Sequence, residues 1–355
     1  MAKYITFQPK DHFASKIWTG TGSSNAITGV GFQPDWLWMK RRDGSEHHIV
    51  VDAVRGLDKQ MYTSHTSGQD TNAQTVTAVG ADGFTLGTNA QVNGNNQEFA
   101  GWLWKGANST ASNSNGSITS TVSANTTAGF SIVTWLGNNQ SAQTIGHGLG
   151  EVPDVILIKE YGGASGWVMG GFGESWNAYI SLQNSNQRTD SGDANTGSGR
   201  MFKAGGTEPT STVFHHNGGA IQSQNNSGMV GYFFKEKQGF SKFGTYIGNG
   251  STWGPMVNCG FAPAFILIKY WGTGGSGNWM LFDNKRHGFN QENEFFHPNT
   301  QDAESTSTHK IAFLSNGFKP RANSSEINTN GGKMIYMAFA AEPFVASNEV
   351  AATGK

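Results

Sequence analysis

The chain predicts an all-β protein built as three tandem β-sandwich repeats, jelly-roll or lectin-like in character. Three observations carry this expectation. The sequence repeats itself three times, its apolar runs are short and bounded by proline and glycine, and no long stretch spaces apolar side chains at the helical period.

Each copy opens on an aromatic-x-Gly triplet: Trp18-Thr19-Gly20, Trp135-Leu136-Gly137 and Tyr246-Ile247-Gly248. A proline then leads an apolar run closed by lysine, from Pro34 to Lys40, Pro153 to Lys159 and Pro263 to Lys269, with the same separation each time. Runs such as Ile156-Leu157-Ile158 have the length and composition of buried strands. Each copy ends through Asp82-Gly83-Phe84, Asn217-Gly218-Gly219 or Asn316-Gly317-Phe318, turn steps that supply positive φ. Aromatic strands follow at Trp102-Leu103-Trp104, Tyr232-Phe233-Phe234 and Tyr336-Met337-Ala338-Phe339. The copies divide the chain into 1–106, 107–238 and 239–355. Residues 107–128 carry no charge and no aromatic and read as a linker, although Ile118-Thr119-Ser120-Thr121-Val122 alternates as an edge strand would. Residues 184–199 read as an exposed polar loop, and the tail 346–355 as a flexible end or docking strand.

Composition narrows the function. Charged residues are 14% of 355, against roughly 25% in an ordinary soluble domain. The 23 Phe, 11 Trp and 8 Tyr demand a packed core and exclude a disordered chain. Net charge is −1, and no basic cluster extends beyond Lys40-Arg41-Arg42, so nothing is built to displace counterions from nucleic acid. The longest aliphatic run, Val155-Ile156-Leu157-Ile158, is far too short for a membrane span, and the first residues lack the apolar core of a signal peptide. Cys259 is alone, which excludes a disulfide framework and a cysteine-built metal site. The expectation is a soluble protein made in a cytoplasm, without cofactor or metal.

Catalytic patterns are absent. Glu98, Glu151, Glu174 and Glu294 offer carboxylates for glycoside hydrolysis, but no spacing marks a pair. Neighbouring histidines at His47-His48 and His215-His216 point to opposite faces of a strand, and Asn93 to Glu98 lacks the carboxylates of a tight calcium loop. No Gly-x-Ser-x-Gly elbow is present, so the chain is read as a non-enzyme. Asp52 and Arg55, then Asp283 and Arg286, stand three apart and read as a structural polar turn closed by a local ion pair, with the arginine stem on aromatics. The second copy has Gly170-Gly171-Phe172-Gly173 instead. Trp36, Trp38, Trp102 and Trp104 alternate along strands and belong to the core. Trp167, Trp176, Trp253, Trp271 and Trp279 lie among glycines and are the candidates for exposed contacts that stack on a sugar.

The strings Trp18-Thr19-Gly20-Thr21-Gly22, 29–42, Asp52-Ala53-Val54-Arg55-Gly56, 116–133 and Leu281-Phe282-Asp283-Asn284-Lys285-Arg286 span nearly the whole chain. Here the chain resembles a family of virion proteins from tailed bacteriophages, especially marine ones, whose repeats have no assigned biochemical function. The resemblance implies a component of the phage particle and brings no catalytic residue. It implies other virion proteins as partners and a homo-oligomer, with a trimer favoured. A tail-fibre or tail-tip subunit contacting a host-surface polysaccharide is the leading expectation. A capsid decoration or baseplate part is the alternative, and a glycan depolymerase comes last.

Overall fold

A computed structural model describes residues 7–140, 142–190, 202–203, 206–216, 226–274, 276–286, 290, 293–306 and 309–340. Three main sheets share a common set of four strands each. The first unit contributes β1 (Phe13–Thr19), β2 (Trp36–Arg41), β3 (Ile49–Asp52) and β4 (Glu98–Trp104). The second contributes β5 (Phe130–Leu136), β6 (Val155–Glu160), β7 (Trp167–Gly171) and β8 (Gly228–Phe234). The third contributes β9 (Ser241–Ile247), β10 (Pro263–Tyr270), β11 (Met280–Asp283) and β12 (Lys333–Ala340). Across the sheets these strands run in the orders β1-β4-β2-β3, β5-β8-β6-β7 and β9-β12-β10-β11, all antiparallel. One connection scheme is used three times, and the described residues are all-β apart from single short turns of helix.

Each unit adds a smaller outer sheet. It is Asn25–Ile27, Gly83–Leu86 and Val76–Gly80 in the first unit and Gln143–Gly146 with Val213–His216 in the second. In the third it is Val257–Asn258, Gly317–Pro320 and Ile311–Leu314. The first strand of a unit pairs with its last and the second with the last but one, the nested closure of a jelly roll, while the strands between follow one another as a meander. Residues 107–128 are more than a linker. Ala111–Asn113 pairs with Ser120–Asn125, which pairs with β5, so the segment widens the second sheet. Of the polar loop 184–199, residues 191–199 lie outside the described residues, as does the tail 346–355.

Strand periodicity explains how the sheets pack. Successive side chains on a strand point to opposite faces. On β2, Leu37 and Met39 face the outer sheet of their own unit, as do Ile156 and Ile158 on β6 and Ile266 and Ile268 on β10. Trp36 and Trp38, Val155 and Leu157, and Phe265 and Leu267 face the other way, into one cluster shared by all three units. The central strands are covered on both faces, which is why they read as unbroken apolar runs. Rings from different units meet there: Trp36 and Tyr232 with centroids 4.7 Å apart, Trp104 and Phe265 at 5.5 Å, Phe234 and Phe339 at 6.0 Å. The void lined by these rings is about 10 Å³, room for one water at most. The three main sheets are wrapped around a common core and are not beads on a string.

The aromatic-x-Gly triplet has a steric cause. A Cβ on Gly20 would fall on the carbonyl oxygen of Gly94, and one on Gly248 on that of Thr329. Only glycine lets the end of the first strand pass so close to the loop before the last strand.

Candidate functional site

Polar groups gather at the three seams where one unit meets the next. On the inward row of each central strand, two apolar residues are followed by the repeated lysine, and all three lysines are buried. Lys40 Nζ donates to the Arg41 carbonyl at 2.9 Å and across the seam to Gln301 O of the third unit at 3.3 Å. Lys159 Nζ donates to Ser165 O at 2.6 Å and to Thr66 O of the first unit at 2.9 Å. Lys269 Nζ donates to Gly277 O and to Ser185 O of the second unit at 3.0 Å. The sense is cyclic: first unit to third, second to first, third to second. Burial pulls each ammonium down to about 8. Sequence reasoning missed these side chains, although their recurrence at one offset in all three copies was the available signal.

The polar turn motifs sit on the same seams. Asp52 and Arg55 are buried and joined at 2.6 Å, and Asp52 Oδ1 also accepts from the backbone N–H groups of Val54 and Arg55. The remaining capacity of Asp52 Oδ2 is met by Tyr232 Oη of the second unit at 2.8 Å. Burial, then the neighbouring Asp52 charge, pushes the Tyr232 hydroxyl well up. Asp283 and Arg286 form the same turn, and Asp283 Oδ2 accepts from Trp102 Nε1 of the first unit at 3.0 Å. Arg286 also reaches Glu304 at 2.9 Å and lies 4.4 Å over the Phe296 ring.

Register then places the missing third copy. Asp52 pairs opposite Trp36, Asp283 opposite Phe265, and Gly171 opposite Val155. Trp102 pairs opposite Trp38, Tyr232 opposite Leu157, and Met337 opposite Leu267. The unit without the carboxylate, at Gly171, meets the unit without the donor, at Met337. Acceptor and donor are absent together, as they must be where an unpaired partner would be buried without compensation. That seam uses rings instead, with Phe172 and Trp271 at 6.2 Å and the Arg188 guanidinium 5.6 Å over Trp271.

Three of the tryptophans expected to be exposed are buried. Trp167, on β7, donates Nε1 to Tyr62 O across the seam at 2.8 Å, and Trp279 donates to Ser181 O at 2.8 Å. Trp271 packs on the Phe172 ring. The glycines beside them approach groups of their own unit, Gly166 at Gln183 and Gly272 at Tyr270, while the indoles themselves turn into the seams. His48 holds the place in the first unit that Trp167 and Trp279 hold in theirs, as the next pair after Met39 and Ile49, and accepts from Trp38 Nε1 at 3.0 Å. Trp176 is half-buried with its ring edge-on to Phe202 at 5.9 Å.

Trp253 is the exception, with 62% of its surface exposed. It stands on the loop between β9 and the outer strand Val257–Asn258, and that loop is tied at both ends. Buried Asn328 donates to Ser251 O at 2.6 Å and Asn249 Oδ1 at 3.0 Å, Asn249 donates to Trp253 O at 2.9 Å, and Gly254 N donates to Pro320 O at 3.0 Å. Asn93 does the same work in the first unit, where it holds Ser23 O at 2.6 Å, but the loop it pins carries no aromatic. Arg321 lies 3.8 Å and Lys319 5.3 Å from the Trp253 ring centroid.

Each of the four carboxylates weighed for glycoside hydrolysis has a basic partner, and two of them share one. Glu151 pairs with Lys237, Glu174 with Lys333 at 2.7 Å, and Glu98 and Glu294 both with Arg42, at 3.5 and 3.8 Å. Among the described residues no group of three or more His, Cys, Asp or Glu side chains is placed to hold a metal.

The fold and its seams define a three-unit, single-chain β-protein with a common core and one aromatic platform on its third unit. The chain belongs to the family described as a domain of unknown function, DUF7483, whose model matches residues 8–343. Comparison with curated proteins and with solved structures gave no match.

Proposed function

We propose that the chain is a non-enzymatic component of a bacteriophage particle, an attachment subunit of the tail fibre or tail tip that contacts a glycan on the host surface. The observation that carries this reading is Trp253, an indole held in the open by a hydrogen-bonded loop on a tightly packed body. A fixed, exposed ring is a stacking surface for the apolar face of a pyranose at little entropic cost. The pairing of Glu98, Glu151, Glu174 and Glu294 with lysine or arginine argues for contact over turnover. The protein is assembled in the host cytoplasm, sits on the particle surface beside other virion proteins, and uses no cofactor, nucleic acid or membrane insertion. Homo-oligomerisation remains part of the proposal, although the three units already close a core within one chain.

One observation favours an architectural reading, as a capsid decoration or baseplate component. Leu136 and Ile247 take the same place at the ends of β5 and β9 and are 60% and 54% exposed. Neighbouring subunits would cover such residues. A depolymerase is the third reading and has the least support. Electron microscopy of intact virions labelled with a specific antibody tests the proposal. Label at the tail end is the expected result, label over the capsid replaces it with the architectural reading, and unlabelled particles overturn both.

A further inference from the structure

Resting on the attachment reading, we infer that the Trp253 platform is a site for an anionic saccharide, a pyranose bearing a carboxylate or phosphate. The argument starts from the strand beneath the ring. Gly317–Pro320 is a strand of the outer sheet of the third unit, with Phe318 fully buried and Pro320 buried. Side chains alternate across a strand, so Lys319 and Arg321, two residues apart, leave on the opposite, solvent-side face. Both lie within 5.3 Å of the Trp253 ring centroid. The two cations therefore approach the indole from the sheet side, and with 62% of the residue exposed its outer face is left to solvent.

That geometry offers two different contacts side by side. The outer indole face takes the C–H face of a sugar ring, and the cations at its margin take an anion carried on that ring. Among the described residues no carboxylate forms an ion pair with Lys319 or Arg321, and both cations lie against the Trp253 ring instead. A neutral sugar would use the ring and leave both charges without a partner. Met256, 43% exposed on the same loop, extends the apolar margin. The equivalent loop of the first unit keeps the asparagine frame around Asn93 but has neither a tryptophan nor a matching pair of cations, so the first unit does not repeat the site.

The test is binding of the full chain to an array of purified bacterial surface polysaccharides: neutral glucans, uronate-containing capsules and phosphate-bearing lipopolysaccharide. Wild-type, Trp253→Ala and Lys319→Gln/Arg321→Gln chains are compared after circular dichroism confirms that each is folded. The expected result is binding to anionic polysaccharides that falls about tenfold or more in Trp253→Ala, as loss of one stacking contact implies. The double glutamine variant should lose the preference for anionic over neutral glycans, and added salt should weaken its binding less than that of the wild type. Capsule binding without lipopolysaccharide binding assigns the carboxylate, and the converse assigns the phosphate. Binding confined to neutral glycans, or anionic binding unchanged in Trp253→Ala, overturns this inference while leaving attachment intact. Binding to nothing on the array overturns both.

Discussion

Replacing Tyr232 by Phe removes one oxygen atom from the core and leaves the ring packed on Trp36. The atom lost is the donor that satisfies Asp52 Oδ2 from the neighbouring unit, at 2.8 Å. A hydrogen bond to a charged group contributes about 1.5–3 kcal/mol, and a buried carboxylate that loses one of its donors is penalised rather than relaxed. Asp52 keeps Arg55 Nε and two backbone N–H groups, which places the expected cost in the lower half of that range, about 2 kcal/mol. The matched control is Met337→Leu at the corresponding place in the seam without the pair, a volume-conserving change expected to cost less than about 1.5 kcal/mol. Denaturant unfolding at neutral pH reads both, as a fall in midpoint with the slope unchanged. A double-mutant cycle with Asp52→Asn should return coupling of about 1 kcal/mol or more. A Tyr232→Phe chain within about 0.5 kcal/mol of wild type, or an uncoupled cycle, would refute the assignment of this contact as a seam lock.

Other predictions follow from the same contacts. Lys40, Lys159 and Lys269 release their protons at about 8 in the folded chain, whereas the unfolded chain holds them to about 10.5. Their contribution therefore makes stability rise with pH from about 8. Burial of the Cys259 thiol opposes it above about 9, and the buried tyrosines do so above about 10. Urea midpoints measured between these limits should climb, and Lys159→Met should flatten the climb; a fall across that window would contradict the assignment. A chain ending at residue 106 leaves Trp36, Trp38, Trp102 and Trp104 without cover, so it should aggregate or lack fixed near-ultraviolet dichroism, and a soluble, cooperatively folded fragment would count against the shared core. The intact chain should unfold in a single calorimetric transition, where three independent sandwiches would give separable ones. Trp279→Phe, which removes the donor to Ser181 O, should cost about 1–3 kcal/mol with the fold retained.

The repeats, the β-class and the strands from Pro34, Pro153 and Pro263 were legible because short apolar runs and turn residues act locally. The seams were not. Trp167, Trp271 and Trp279 sit beside glycines, and a glycine beside a tryptophan has the same letters whether the indole lies open or turns into a seam. The partners that decide between those cases lie far along the chain: Tyr62 O is 105 residues from Trp167, and Gln301 O is 261 residues from Lys40. Lysine is almost never buried, so its recurrence reads as a solvated strand end until carbonyls from the next unit are seen around it. The Asp–Arg spacing correctly pointed to a turn, but nothing in it announced Tyr232 or Trp102 as the third member. Trp253 was separable from Trp167, Trp271 and Trp279 only by the absence of a unit packed over it.

Joining three equivalent units in one polypeptide changes what mutation can do. In a ring of identical chains every substitution lands on all interfaces at once, so a carboxylate and its donor survive or vanish everywhere. Here each interface is encoded separately, and one of them carries glycine and methionine where the other two carry a carboxylate and its donor. A recognition residue can likewise be installed once, on one unit, without altering the others. The ring also closes at any dilution, because its parts are never separate molecules. The fused chain thus gains independent editing of three faces and an assembly that does not depend on copy number.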